Sequence, residues 1–234
     1  MFLSFAFSFS VLKIADSVSS AIWSLIIYVA TRAMGGGDLP IYVQQWMANC
    51  RNLTMFVLAG VLLWLSRSYW RSSVRFGQQT PSQYTWVLVG PVIGLAWGVL
   101  LTSFLLPEIP IGNGYRFEWD PLVLAFLVTV VAAPLVEEIL FRGALFSKLV
   151  EHGWPIGRVV IATTLMWAIG HLPDNLGALK FFMLLPAGVF LGWIRLKTRG
   201  VFLPIAVHSA VNLSIFVLPA LPPKAMLELI SSNI

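Results

Sequence analysis

Residues 76–107 contain no Asp, Glu, Lys or Arg, and residues 200–223 repeat that pattern near the other end of the chain. A soluble globule needs charge to cover its surface, whereas about 20 uncharged, mostly apolar residues are what a helix needs to cross a hydrocarbon core. Composition agrees: of 234 residues, 58% are apolar and 11% charged, with a mean hydropathy of +0.84. An ordinary soluble domain is about 25% charged. These values exclude a soluble enzyme, a disordered chain and a secreted disulfide scaffold. The single cysteine, Cys50, has no partner for an internal disulfide or a thiolate metal site. At about 20 residues per span plus loops, the length allows six to eight spans. No repeat, low-complexity tract or linker divides the chain. The expectation is an all-α, polytopic transmembrane bundle of about seven helices, built as one integral membrane domain over residues 1–234.

Uncharged runs place the spans at 17–31, 52–66, 84–106, 121–150, 156–172, 178–196 and 201–220. The apolar opening before residue 17 lacks a basic leader region and a small-residue cleavage site. It reads as a backward extension of the first span, interrupted by Lys13 and Asp16, rather than as a signal peptide. The 121–150 segment is interrupted by Pro134 and then by charges. The net charge of +5 comes from 15 cations against 10 anions, with no basic, aromatic-interleaved tract, so nucleic acid is not an expected partner. Instead Arg67, Arg71 and Arg75 gather in one polar segment and Arg195, Lys197 and Arg199 in another. Both lie at helix ends, as cytoplasmic loops should. The N-terminus is then cytoplasmic, and the turn-rich 107–120 segment lies on the opposite side.

A charge at bilayer depth costs at least ~2.5–3.5 kcal/mol on insertion scales, so ionisable residues inside apolar segments mark sites. Three groups qualify. In Glu137-Glu138-Ile139-Leu140-Phe141-Arg142, Glu138 and Arg142 stand four apart on one helical face and can pair. Glu137 points about 100° away, and a desolvated carboxylate without its own cation suits general acid–base work. The plainer alternative is a helix end at the interface, started by Pro134, with both glutamates reaching water. In Trp167-Ala168-Ile169-Gly170-His171, Trp167 and His171 share a face, with Thr164 one turn below. The plainer alternative is an interfacial histidine. Yet Glu137 lies 16 residues before Gly153 and His171 lies 18 after it, and at 1.5 Å per residue a short turn there brings both to nearly one depth. In His208-Ser209-Ala210-Val211-Asn212, His208 and Asn212 share a face in the last span. They can equally serve as packing glue between helices. By residue count His208 sits shallower than Glu137 and His171.

No covalent nucleophile stands beside a base: Ser209 points off the face of His208, and Cys50 is remote. Asp16, Asp38, Asp120 and Asp174 lie outside well-defined spans, which argues against a paired-aspartate protease. Activation of water remains. Glu137 with His171 takes a proton from a water attacking a peptide carbonyl, while His208 and Asn212 donate to the oxyanion. No cofactor is needed for this. The alternative is a zinc site ligated by Glu137, His171 and His208, although no HExxH helix is present.

The three segments fit the ordered motifs EExxxR, FxxxH and HxxxN, with Trp167 in place of Phe as an exchange of one aromatic for another. Together with the Pro134-x-x-Glu137-Glu138 context and the Phe141-Arg142-Gly143 that follows, they make residues 120–215 resemble the CPBP family. This is the CAAX protease and bacteriocin-processing group of intramembrane glutamic endopeptidases. The resemblance implies that Glu137 and His171 activate water, His208 and Asn212 stabilise the oxyanion, and Glu138 and Arg142 support them. It implies a membrane-associated protein or peptide as substrate, lipidated or carrying a C-terminal anchoring or sorting segment. A multi-pass protein of a bacterial inner membrane is the expected setting. Two other classes stay open: a non-catalytic scaffold or bacteriocin-immunity protein, and, more weakly, a transporter.

Overall fold

A computed structural model describes residues 2–70, 74–75, 77, 80–105, 119–172 and 177–217. Among them every regular element is helical, and seven helices are long. They are α1 (Phe2–Ala33), α2 (Ile41–Leu65), α3 (Trp86–Leu105), α4 (119–151), α5 (Ile156–Ile169), α6 (Gly177–Thr198) and α7 (Phe202–Val217). Single helical turns at Arg67–Trp70 and Pro81–Thr85 flank the polar segment between α2 and α3. The expected fold class holds, with four helices long and apolar enough to cross a membrane: Ala6–Ala33, Ile41–Leu65, Leu122–Glu151 and Phe181–Thr198.

Two boundaries differ from expectation. The second helix begins at Ile41, well before residue 52, because Arg51 does not stop it. Arg51 stays exposed, and its carbonyl accepts the Ser19 hydroxyl of α1 at 2.6 Å. The Trp23 indole likewise donates to Thr54 Oγ1 at 3.0 Å. These bonds zip α1 and α2 into a hairpin. The second difference is at Pro134, which does not interrupt its span. Proline has no N–H and its ring crowds the carbonyl four residues back, so an ordinary helix would kink here. The backbone at Leu127–Ala132 opens into a π-helix immediately before Pro134, and α4 runs on to Glu151. A second π-helical stretch follows at Ile139–Leu145.

α4 is the axis of the bundle, touching α1, α2, α5, α6 and α7. Its buried Leu140, Phe141, Leu145, Phe146 and Leu149 pack with Val11 and Ala15 of α1, Phe56, Ala59 and Leu63 of α2, and Val159 and Trp167 of α5. A second cluster joins Leu191 and Ile194 of α6 to Leu203 and Val207 of α7. Large apolar side chains such as Leu25, Leu65, Leu88, Val92 and Phe182 point outward, as a lipid-facing surface requires.

Candidate active site

α4 and α5 are joined by a turn at residues 152–155 and pack side by side. Consecutive helical residues diverge by about 100°, so Glu137 and Glu138 address different neighbours. Glu137 faces α5, where the Trp167 indole Nε1–H donates to its Oε2 at 2.5 Å. Glu138 faces α6 and α7. Its Oε1 accepts from Arg142 Nη1 at 3.0 Å and lies 2.9 Å from His208 Nδ1. Arg142 also donates from Nη2 to the Gly188 carbonyl of α6 at 3.2 Å, and its guanidinium lies over the Trp167 ring, 4.7 Å from the centroid.

Exposure separates the two carboxylates. Glu138 and Arg142 are sealed at 0%, whereas Glu137 keeps 8% of its surface open. Glu137 is thus the less enclosed of the two carboxylates. A buried ion pair needs further hydrogen bonds to offset its desolvation, and His208, Gly188 and Trp167 surround this one.

The two histidines sit on either side of Trp167. The His171 and His208 rings meet it edge-on, with centroids 5.5 and 5.4 Å away. Their hydrogen bonds give them different chemistry. His171 Nδ1 lies 3.0 Å from the Trp167 carbonyl, and a carbonyl only accepts, so Nδ1 carries the proton. In the neutral ring Nε2 is then a lone-pair acceptor. His208 presents Nδ1 to a carboxylate, so its Nε2 can donate only when the ring is an imidazolium. His171 thus turns its Nδ1 to a backbone carbonyl and His208 its Nδ1 to the Glu138 carboxylate.

Asn212 stands one turn beyond His208 on α7, half-buried, and its amide donates to the Thr129 carbonyl of α4 at 2.8 Å. Counting residues made His208 shallower than Glu137 and His171, yet it reaches Glu138. The α6–α7 turn does not sit at the rim of the bundle. Val201 is fully buried and its N–H donates to the Arg75 carbonyl at 2.9 Å, so the polar segment after α2 caps a turn sunk among the helices.

Arg195 corrects a charge assignment. The sequence groups it with Lys197 and Arg199 as a loop cation. In the fold it is 7% exposed, donates from Nε to the Arg142 carbonyl at 2.8 Å, and reaches Ser147 Oγ at 3.2 Å. It braces the backbone that carries Arg142. Only its position in the last turn of α6, one turn before the helix end, hinted that it could face inward. Among the described residues no three His, Cys, Asp or Glu side chains are gathered as metal ligands. Glu137 and His208, both in the alternative zinc set, are engaged with Trp167 and Glu138 respectively.

A polytopic helical bundle that buries two glutamates, an arginine and a histidine together along its central helix defines a class: a helical membrane protein with an enclosed cluster of ionisable side chains. Residues 119–214 match the family model described as type II CAAX prenyl endopeptidase, Rce1-like. This segment is therefore similar to the CAAX-protease group that its three motifs resemble, a group of membrane endopeptidases, over less than half of the chain. No curated protein and no solved structure matches the chain.

Proposed function

We propose that this protein is an intramembrane endopeptidase of the glutamic type, using water activated by Glu137 and His171. Its substrate is a membrane-associated protein, either lipidated or held by a C-terminal apolar segment. Its setting is a bacterial inner membrane. The observation that carries the reading is the asymmetry of the two neighbouring carboxylates. Glu138 is sealed and neutralised by Arg142, whereas Glu137 keeps a little open surface and forms no ion pair among the described residues.

The chemistry follows in order. Glu137, together with the Nε2 lone pair of His171, removes one proton from water. The water oxygen bonds to the peptide carbonyl carbon, and the carbonyl oxygen takes the negative charge. His208, as imidazolium held by Glu138, and the Asn212 amide donate to that oxygen. When the C–N bond breaks, the proton passes to the leaving amine and a carboxylate is released. No step needs a metal.

The test uses purified protein in liposomes with two fluorescence-quenched peptides, one ending in a farnesylated CAAX sequence and one ending in an apolar helix. Wild type should cut at least one. Glu137→Gln, which keeps shape and loses basicity, should lower kcat by about 10²–10⁴-fold while the protein still inserts and melts normally. A Glu137→Gln protein of wild-type activity would sink the proposal, as would a wild type inert to both peptides.

A further inference from the structure

Trp167 touches more of the site than any role as a simple aromatic spacer requires. It is 2% exposed, and a buried indole N–H normally finds a partner. That partner is Oε2 of Glu137, thirty residues away in sequence. The same ring carries the Arg142 guanidinium on its face and both histidine rings at its edges. A phenylalanine here would keep those ring contacts to some extent and lose the donor. The motif position thus holds a hydrogen-bonding group that the resembled pattern does not supply.

We infer that Trp167 is a positioning residue for Glu137: its indole N–H pins one carboxylate oxygen and so presents the other to water. This rests on the hydrolase reading above. Among the described residues the hydrogen bond found on the Glu137 carboxylate is the one to Oε2, so the two oxygens are unequal. Without the pin the carboxylate can rotate about its terminal torsion, which has a broad profile for glutamate. A base that samples many orientations reaches the productive one less often. The effect belongs to kcat, because the indole meets Glu137 and not the peptide.

The experiment replaces Trp167 with benzothienylalanine, which keeps the fused rings and exchanges the N–H for sulfur. Trp167→Phe is the second variant. On the peptide that wild type cuts, both should lower kcat by about tenfold to a hundredfold, the range for losing a hydrogen bond to a charged group. KM should stay within about twofold of wild type. An activity-independent readout accompanies this: with ¹⁵N-labelled indoles, the Trp167 Nε1–H resonance, assigned by its loss in Trp167→Phe, should move upfield in Glu137→Gln. A benzothienylalanine protein with wild-type kcat, or an indole resonance indifferent to Glu137→Gln, overturns the positioning role and leaves the hydrolase reading standing. A wild type inert to both peptides overturns the two together.

Discussion

Arg142 has no exposed surface, and its charge is answered by the Glu138 carboxylate, the Gly188 carbonyl and the Trp167 ring face. Removing it leaves Glu138 buried without its cation. Arg142→Ala should therefore destabilise the protein by about 3–5 kcal/mol, read as a lowered melting temperature in detergent. Arg142→Lys should recover only part, because an ammonium cannot fork between Glu138 and Gly188 while lying flat on an indole. The Glu138–Arg142 pair is legible in the sequence, since a four-residue spacing on a helix guarantees proximity. The Glu137–Trp167 bond is not legible in that way. It depends on the rotation of α5 about its own axis, which no spacing within either helix sets. Arg195 was misplaced for a related reason: counting cations near a helix end cannot tell a side chain directed at solvent from one turned inward.

Two pairs of glycines at four-residue spacing set how closely the helices approach. Gly188 and Gly192 of α6 face Thr164 and Val160 of α5, and a Cβ added at Gly188 would stand 2.6 Å from Thr164 Cγ2. Gly90 and Gly94 of α3 face Val207 and Val211 of α7, where the corresponding distances are 2.6 and 3.1 Å. Between helices in lipid there is little hydrophobic drive, so backbone approach at small residues supplies the attraction. Close approach at Gly188 also brings its carbonyl to Arg142. Gly188→Ala should cost about 1–3 kcal/mol through overpacking and lower peptide cleavage with it. Gly60→Ala in α2 meets nothing within 4 Å and should instead stabilise by about 0.5–1 kcal/mol, the helix-propensity difference. Paired melting curves check both. The small-residue spacing was present in the sequence and could have identified these seams. The π-helical stretches of α4 had no such signal beyond Pro134.

For the whole molecule, the polar segment after α2 meets the α6–α7 turn. Val201 bonds to Arg75, and a Cβ at Gly77 would stand 2.5 Å from the Thr198 carbonyl. The two arginine-bearing segments therefore lie on one face, which the positive-inside rule reads as cytoplasmic. In a Cys50→Ser background, His152→Cys should react with an impermeant maleimide only from the cytoplasmic side, and Gly37→Cys only from the other. Both residues are exposed. The proposed chemistry makes a second prediction at this scale. Exhaustive chelation should leave peptide cleavage unchanged, and elemental analysis of the active protein should find no stoichiometric zinc.

Scarcity of charge determined from the sequence alone that this chain enters a membrane, that its helices number about seven, and that Glu137, Glu138 and Arg142 are charges set inside an apolar helix. These conclusions depend on local quantities: the length of an apolar run, the energy of a buried charge, the pitch of a helix. Tertiary structure alone decided which carboxylate is sealed and which stays open, that His208 reaches Glu138, that Arg195 turns inward, and that an indole links α5 to Glu137. Those facts depend on how helices rotate and sink against one another. A helix's own residues fix its faces, but only its neighbours decide where each face is directed.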